Sequence, residues 1–476
     1  MALVRNQVVS LTVTTITPLH IGTGDRLAAN LDYYVDGDAT LVINADAALE
    51  LVVETWQQRR VPYEEQLRRF NAELAQEEER IRRADERLRR QIEQFEESPP
   101  RRKDEYERQA NRFREEAQRL KERKQRLAEH SANPPQPDDT GDLLPPELIA
   151  GSTFDQLVDG GLLPRDRLRE RATVNGRPLV RYALNGRPAS GEVYEQIKDV
   201  ADRLYLPGSS LKGAIRSALA WDMAHSPAVA ALQHAVKGGP KNADDAIEQE
   251  VFLGTLRTQR RINNTVRDVL RALRIGDSAP VAVAPDLLAV RIYRSRSAQG
   301  LIALEAIPVD VEFRAALQIE QYPFESGVAR AVIDFGDWQR RLQPDELAAA
   351  CRRRAGRLID GELAYFNRQT DAAELVRFYA DLRARLERMD ARAFLLPIGW
   401  GAGWRSKTLD DRLRQGTDRD NAFAQIVQRH TLKKHKSAGF RPGDAFPETR
   451  KVIMRGALPW RPLGWVEARF DLNGER

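Results

Sequence analysis

LYLPGSSLKGAIRSALAWDM, residues 204–223, holds a Gly-Ser-Ser turn, a lysine, a second glycine and then a helical pattern. A nucleotide-hydrolase P-loop runs Gly, four residues, Gly-Lys-Ser/Thr, with the lysine after the second glycine. Here Lys212 precedes Gly213 and no Ser or Thr follows, so that reading fails on spacing. A more general one remains. Pro207 and Gly208 make a turn, and Ser209 or Ser210 is placed to cap a helix. The N–H groups at the helix start are then free to hold an anion. Lys212 and Arg216 lie one turn apart on the same face, which suits a phosphate backbone. The plain alternative is two solvated bases on an amphipathic helix.

Outward from this stretch the chain alternates strands and helices. QVVSLTVTTIT (7–17) alternates apolar and polar residues, a strand pattern. PLHIGTGD follows as a loop, residues 31–44 read as a hairpin about Asp36-Gly37, and ADAALELVVETWQQ as a short helix. Helices are expected near 192–202 and 209–225, and strands at 281–293 and 301–320, the latter interrupted at Pro-Val-Asp. Residues 338–390 read as largely helical. The class is α+β.

Residues 63–130 break from this pattern, being almost entirely Glu, Arg, Gln, Lys, Ala and Leu. Apolar residues recur in heptad-like steps at Leu67, Phe70, Leu74, Ile81, Ala84, Leu88 and Ile92. After SPPRR (98–102) they recur at Tyr106, Ala110, Phe113, Ala117, Leu120 and Leu127. Two helices joined by a Pro-Pro turn would form an antiparallel coiled-coil hairpin, each arm about 40–50 Å long. ANPPQPDDTGDLLPP ends it as a linker. Such an insertion either touches a partner or is a solvated, tolerated arm.

With 476 residues, two or three domains are expected. The net charge is +5, basic enough to matter only if concentrated on one surface. Cys351 is the sole cysteine, which excludes an internal disulfide and a cysteine-based zinc site. No apolar run reaches spanning length, so a cytoplasmic protein with no membrane partner is expected.

Four segments combine small residues, aromatics and bases. TPLHIGTGD (17–25) offers Gly22 and Gly24 for close backbone approach, with His20 as a ribonuclease base or a plain turn histidine. The opening stretch offers Ser209, Ser210, Lys212 and Arg216. LPIGWGAGWRSKT (396–408) sets Trp400 and Trp404 beside Arg405 and Lys407, the ingredients of single-strand binding. The alternative is tryptophans folded inward as core. FPETRKVIMRGALPWRPLGWVEARF (446–470) clusters Arg450, Lys451 and Arg455 before a Pro-Leu-Gly-Trp turn. Metal chemistry is poorly supplied, because His430 and His435 lie among lysines. No cofactor motif is present.

Taken in order, TPLHIGTGD, LPGSSLKGAIRSAL, GWGAGW and FPETRKV…PLGW resemble the RAMP superfamily of CRISPR proteins. They are most similar to its Csm-complex branch, and within it to the subunit that caps the 3′-end side of the crRNA in the type III-A effector. The 63–130 hairpin is outside the resemblance. The resemblance implies two ferredoxin-like (RRM-related) modules, at 1–60 plus 140–300 and at 301–476, with the hairpin and linker inserted at 61–139. It implies binding to crRNA and docking onto RAMP backbone subunits. Contact with target RNA and recruitment of a host nuclease that trims the crRNA 3′ end also fit the family. Target cleavage in such complexes belongs to the backbone subunits, and no motif match carries a catalytic role onto Asp25. The chain is therefore expected to be non-catalytic. The alternative is a metal-independent endoribonuclease that processes precursor crRNA with His20 as base.

Overall fold

A computed structural model describes residues 6–135, 151–224, 229, 248–294, 300–414, 417–433, 437 and 439–471. Part of the 132–146 linker, the stretch KGGPKNADD and His435 lie outside these residues. The chain divides into two compact units. Unit 1 comprises residues 1–42 and 181–476, and unit 2 comprises 43–180.

In chain order the elements used below are β1 (Gln7–Thr15), β2 (Gly22–Ala28), β3 (Tyr33–Asp36), β4 (Ala39–Ile43), α1 (Ala45–Glu97) and α2 (Lys103–Ser131). Next come the two-residue strands β5 (Thr173–Val174) and β6 (Arg177–Pro178), then β7 (Val180–Asn185), β8 (Glu192–Gln196) and α3 (Gly208–Met223). After these lie β9 (Thr255–Leu256), β10 (Leu273–Ile275), β11 (Asp286–Tyr293), β12 (Ile302–Ala306), β13 (Glu312–Ile319) and β14 (Ile333–Asp334). The chain closes with α4 (Pro344–Phe366), α5 (Ala373–Glu387), β15 (Ala393–Pro397), α6 (Trp404–Lys407), β16 (Arg450–Arg455), β17 (Leu458–Pro462) and β18 (Trp465–Asp471).

Unit 1 is a mixed helix-and-sheet body. Its five-stranded sheet has the order β10-β13-β1-β18-β15, antiparallel throughout. β1 is central, paired on both edges, and its Val9, Leu11 and Val13 alternate with less buried residues, so one face meets the core. Phe313, Leu317 and Ile319 of β13 join that face, as do Val466, Ala468 and Phe470 of β18. Leu211, Ile215 and Leu219 of α3 and Leu347 and Cys351 of α4 belong to the same cluster. In β15, Phe394 and Leu396 enter this cluster, while Leu395 points to a second one with Leu358, Ile359 and Tyr379. Burial of the Cys351 thiol pushes its pKa up to about 12.

A nine-stranded sheet runs β2-β8-β12-β11-β7-β4-β3, with β16 on β11 and β17 on β16. β8–β12 and β11–β7 are parallel; β2–β8, β12–β11, β11–β16 and β16–β17 are antiparallel. The helix expected near 192–202 is instead strand β8, whose Val193 and Gln196 are buried. Gly22, Gly24 and Asp25, expected in a loop, belong to β2. The pairing of β2 slips between Gly22 and Arg26, so it is an irregular strand rather than a free turn. The expected first and second modules are interleaved by hydrogen bonding: β1 lies between β13 and β18.

In unit 2, the short helix expected after Ile43 and the first heptad series form one continuous helix, α1. Asn44 caps it, accepting from the Ala47 N–H at 3.3 Å. α2 packs antiparallel to α1 through Ile81, Leu88 and Leu120, with Phe113 and Leu127 beside them. Glu77–Arg123 at 2.5 Å and Phe95–Tyr106 ring packing fix the register.

Candidate nucleic-acid interface

Three of the four sequence segments are stitched together by backbone hydrogen bonds within unit 1. The Trp400 N–H donates to the His20 carbonyl at 2.8 Å. The Ile398 N–H donates to Gly464 O at 2.8 Å, and the Gly464 N–H to Pro18 O at 3.0 Å. Gly399 has φ 77°, and a methyl there would collide with the His20 carbonyl. A side chain at that position is excluded by both backbone conformation and space.

The glycine segment and the 446–465 segment together line a cleft of about 520 Å³, with Trp404, Arg405, Lys407, Arg450 and Lys451 all on its wall. Trp404 is 38% exposed, its edge held against Phe446. Trp400 is not a free stacking face. The Lys451 Nζ sits 3.3 Å from its ring centroid and also donates to the Trp400 carbonyl at 3.2 Å. Its ring packs against the cluster of Val290, Leu304 and Leu463. Trp400 is thus partly core and Trp404 is the presented aromatic.

The cleft is short of negative charge. Its one carboxylate, Glu362, is bound to Arg450 at 2.6 Å. Arg450 also donates to the carbonyls of Pro447 and Thr449 and lies over the Tyr365 ring at 4.0 Å. It is a mostly buried, packed residue rather than an exposed entrance base, held by this ion pair and stacking, although its buried Nη2 has no hydrogen-bond partner among the described residues. Arg405 donates to the Gly361 carbonyl at 3.3 Å, and burial, then the nearby Arg450, lowers its pKa. Lys451 is lowered to about 8 by burial and by Lys407. Among the described residues, Lys407 is exposed and has no ion pair. Cations crowded without carboxylates favour an incoming anion.

His20 is 2% exposed and its Nδ1 lies 2.7 Å from the Glu305 carbonyl. Burial, with Lys451 and Lys198 nearby, lowers its pKa to about 4 despite that hydrogen bond. Beneath it lies a buried polar network that the sequence reading missed. The Glu305 carboxylate accepts from Lys198 Nζ at 2.5 Å, Tyr182 OH at 2.8 Å and the Gln196 N–H at 2.9 Å. The Gln196 side chain in turn accepts from the Ile21 N–H at 2.9 Å. The signal was present as a single Glu inside the apolar strand LIALEA. Gly22 and Gly24 lie on the exposed part of β2, Gly24 with φ 103° and open space around it.

The opening stretch does form a helix, α3, but its cap is Pro207 and neither serine caps it. Gly208 packs so tightly on Ile275 and Gly276 that a methyl there would clash. Its N–H donates to the Asp277 carboxylate at 2.7 Å, so an internal anion occupies the helix start. Ser209 is exposed and Ser210 half-buried in the first turn. Arg216 pairs with Asp268 at 3.1 Å and lies over Phe252 at 4.5 Å. Burial lowers the pKa of Lys212, with Arg216 and Arg274 adding to it. None of these four residues lines the cleft.

Among the described residues no group of three or more His, Cys, Asp or Glu is arranged to hold a metal ion, and no helix is long and apolar enough to cross a membrane. A search of curated proteins found no match. Among solved structures, a chain in the cryo-EM structure of a Csm–crRNA–target RNA ternary complex of a type III-A CRISPR–Cas system is 19% identical. Its TM-score is 0.53, covering 97% of this chain and 100% of that one. The crystal structure of T. onnurineus Csm5 is 17% identical, with a TM-score of 0.45 and coverage of 96% and 99%. The former likeness shows a shared fold. The family model of the RAMP superfamily matches residues 12–323, from within β1 through the 204–223 stretch to just past β13, and the chain belongs to that superfamily.

Proposed function

We propose that this chain is a non-catalytic crRNA-binding subunit of a type III CRISPR ribonucleoprotein, acting in the cytoplasm. RAMP membership and a fold shared with a chain of a Csm–crRNA–target RNA complex support the assignment. The observation that carries it is the cleft where Trp404, Arg405, Lys407 and Lys451 converge with one, already neutralised, carboxylate. Its mechanism is electrostatic grip on the phosphates plus stacking on Trp404, leaving sequence to base pairing by the guide. In this reading unit 1 is built from two ferredoxin-like modules whose strands are shared between its sheets, and α1–α2 is a coiled-coil hairpin. The subunit caps the 3′ side of the guide, docks on RAMP backbone subunits near target RNA, and supports 3′-end trimming by a host nuclease.

The endoribonuclease alternative gains no support from His20. Its ring is buried, and its Nδ1 is engaged by a backbone carbonyl. A base must reach the hydroxyl it deprotonates.

The test is crosslinking of this chain to guide RNA within the co-expressed complex, mapping peptides and nucleotides. Crosslinks from 404–407 and 451 to the 3′ portion of the guide are expected. Crosslinks confined to the 5′ portion, or none from the cleft, overturn the assignment. Cutting of repeat RNA by the purified chain in EDTA would revive the enzyme.

A further inference from the structure

We propose that the α1–α2 pair of unit 2 carries a second, separate surface for the phosphate backbone of a nucleic acid, built from Arg80, Arg87, Arg112, Arg119 and Arg126. The charge along these helices is segregated. Residues 80–90 carry six arginines against Asp85 and Glu86, and residues 110–124 carry six basic residues against three glutamates. Acid collects instead at 73–79, with four glutamates, and at 93–97, with three. Contacts between Glu77 and Arg123 and between Phe95 and Phe113 bracket the two basic stretches, so antiparallel packing lays them side by side. The result is a belt of positive charge between acidic ends.

The belt has an ordered face. A groove of about 610 Å³ between the helices brings Arg80 beside Arg119, Arg123 and Arg126. Seven residues are nearly two turns, about 10.5 Å along the axis and on the same face. Arg87 therefore extends the Arg80 row, and Arg112, Arg119 and Arg126 form one row on α2. All five are exposed. Among the described residues Arg87, Arg112, Arg119 and Arg126 form no ion pair, although glutamates lie within a turn of them. Two of those glutamates are engaged elsewhere: Gln118 donates to Glu122 and Gln125 to Glu129, both at 3.1 Å. Three glutamates, Glu73, Glu77 and Glu122, also line the groove; Glu77 is bound by Arg123 and lies 3.7 Å from Arg80, and Glu122 is the one that accepts from Gln118. Regularly spaced guanidiniums, four of the five without an ion pair among the described residues, match a polyphosphate, since arginine binds phosphate through a planar fork of donors. This surface uses no residue of the cleft.

The test measures binding of fluorescein-labelled single-stranded RNA and of labelled duplex DNA to the full chain across a salt series. It compares wild type with Arg112→Glu/Arg119→Glu/Arg126→Glu, and with Arg405→Gln/Lys407→Gln as the separate cleft variant. The triple variant is expected to bind at least ~10-fold more weakly at low salt. Its log K against log salt slope should be shallower by about two, since each phosphate that no longer meets an arginine reduces the slope by about 0.7 on a single strand. Circular dichroism checks that helicity is kept; if it is not, Arg112→Gln/Arg119→Gln/Arg126→Gln decides, with a smaller change of the same sign. A weaker affinity on RNA alone or on duplex alone identifies which nucleic acid supplies the phosphates. Unchanged affinity and slope overturn the proposal and leave the belt to an acidic protein face or to solvent. An effect of the cleft variant with none from the triple variant overturns this inference while sparing the crRNA assignment.

Discussion

Lys451 lines the cleft and His20 is buried against Trp400 of its wall, and both are held below their ordinary pKa by burial. For His20 the folded value is about 4 against an ordinary 6.5, so between those limits the unfolded chain binds the proton and the folded chain does not. Stability therefore falls as pH drops through that window, by an amount of order 3 kcal/mol. His20→Gln should flatten the dependence of Tm on pH between about 6.5 and 4 relative to wild type; an equal slope in both proteins would show that another group titrates. Lys451 carries charge below about pH 8 and loses it above. RNA affinity should weaken between pH 7 and pH 9, and Lys451→Arg, which keeps its charge, should remove most of that change. Anisotropy titrations at the two pH values check this. Arg450 is different in kind, since it is committed to Glu362 and Tyr365. Arg450→Ala leaves Glu362 buried without its partner and should cost about 3–5 kcal/mol in denaturant unfolding, before any effect on RNA is read.

At the scale of elements, the glycine loop is shaped by what presses on it. Gly399→Ala forces a positive-φ alanine against the His20 carbonyl, and Gly401→Ala drives a methyl into Leu463. Each should lower Tm and displace Trp404 and Arg405 together, seen as weaker RNA binding and altered tryptophan fluorescence. The α1–α2 pair has a small core of its own. Leu120→Ala should destabilise that pair by about 2–5 kcal/mol. Leu120 lies in a cluster separate from that of the five-stranded sheet. Thermal circular dichroism should therefore show an earlier helical loss without a shift in the main transition.

Across the molecule, the first strand and the last are neighbours. β1 pairs with β18 from Ser10↔Asp471 to Thr15↔Val466, and β18 is the only hydrogen-bonded link from β1 to β15 among the described residues. Such pairing has high contact order and forms late. Truncation before Trp465 should therefore abolish the cooperative unfolding transition rather than merely loosen one end, as calorimetry of the shortened chain would show. Conversely, every residue of the main core cluster comes from outside 43–180. The helical insertion supplies none of it.

The sequence by itself determined the elements whose signal is local. The alternation of β1, the break at Pro308–Asp310 between β12 and β13, and the heptad positions that become the α1–α2 contact are all legible, because side-chain period follows backbone period. It also determined which bases and aromatics were available to a binding site. Only the tertiary structure decided which of them share one. It buried His20 and Arg450, covered Trp400 with Lys451, and filled the start of α3 with Asp277. It made 192–196 a strand, because Gln196 is held by Glu305 from 109 residues away. Each of these depends on a partner distant in the chain, and no local pattern encodes where that partner will stand.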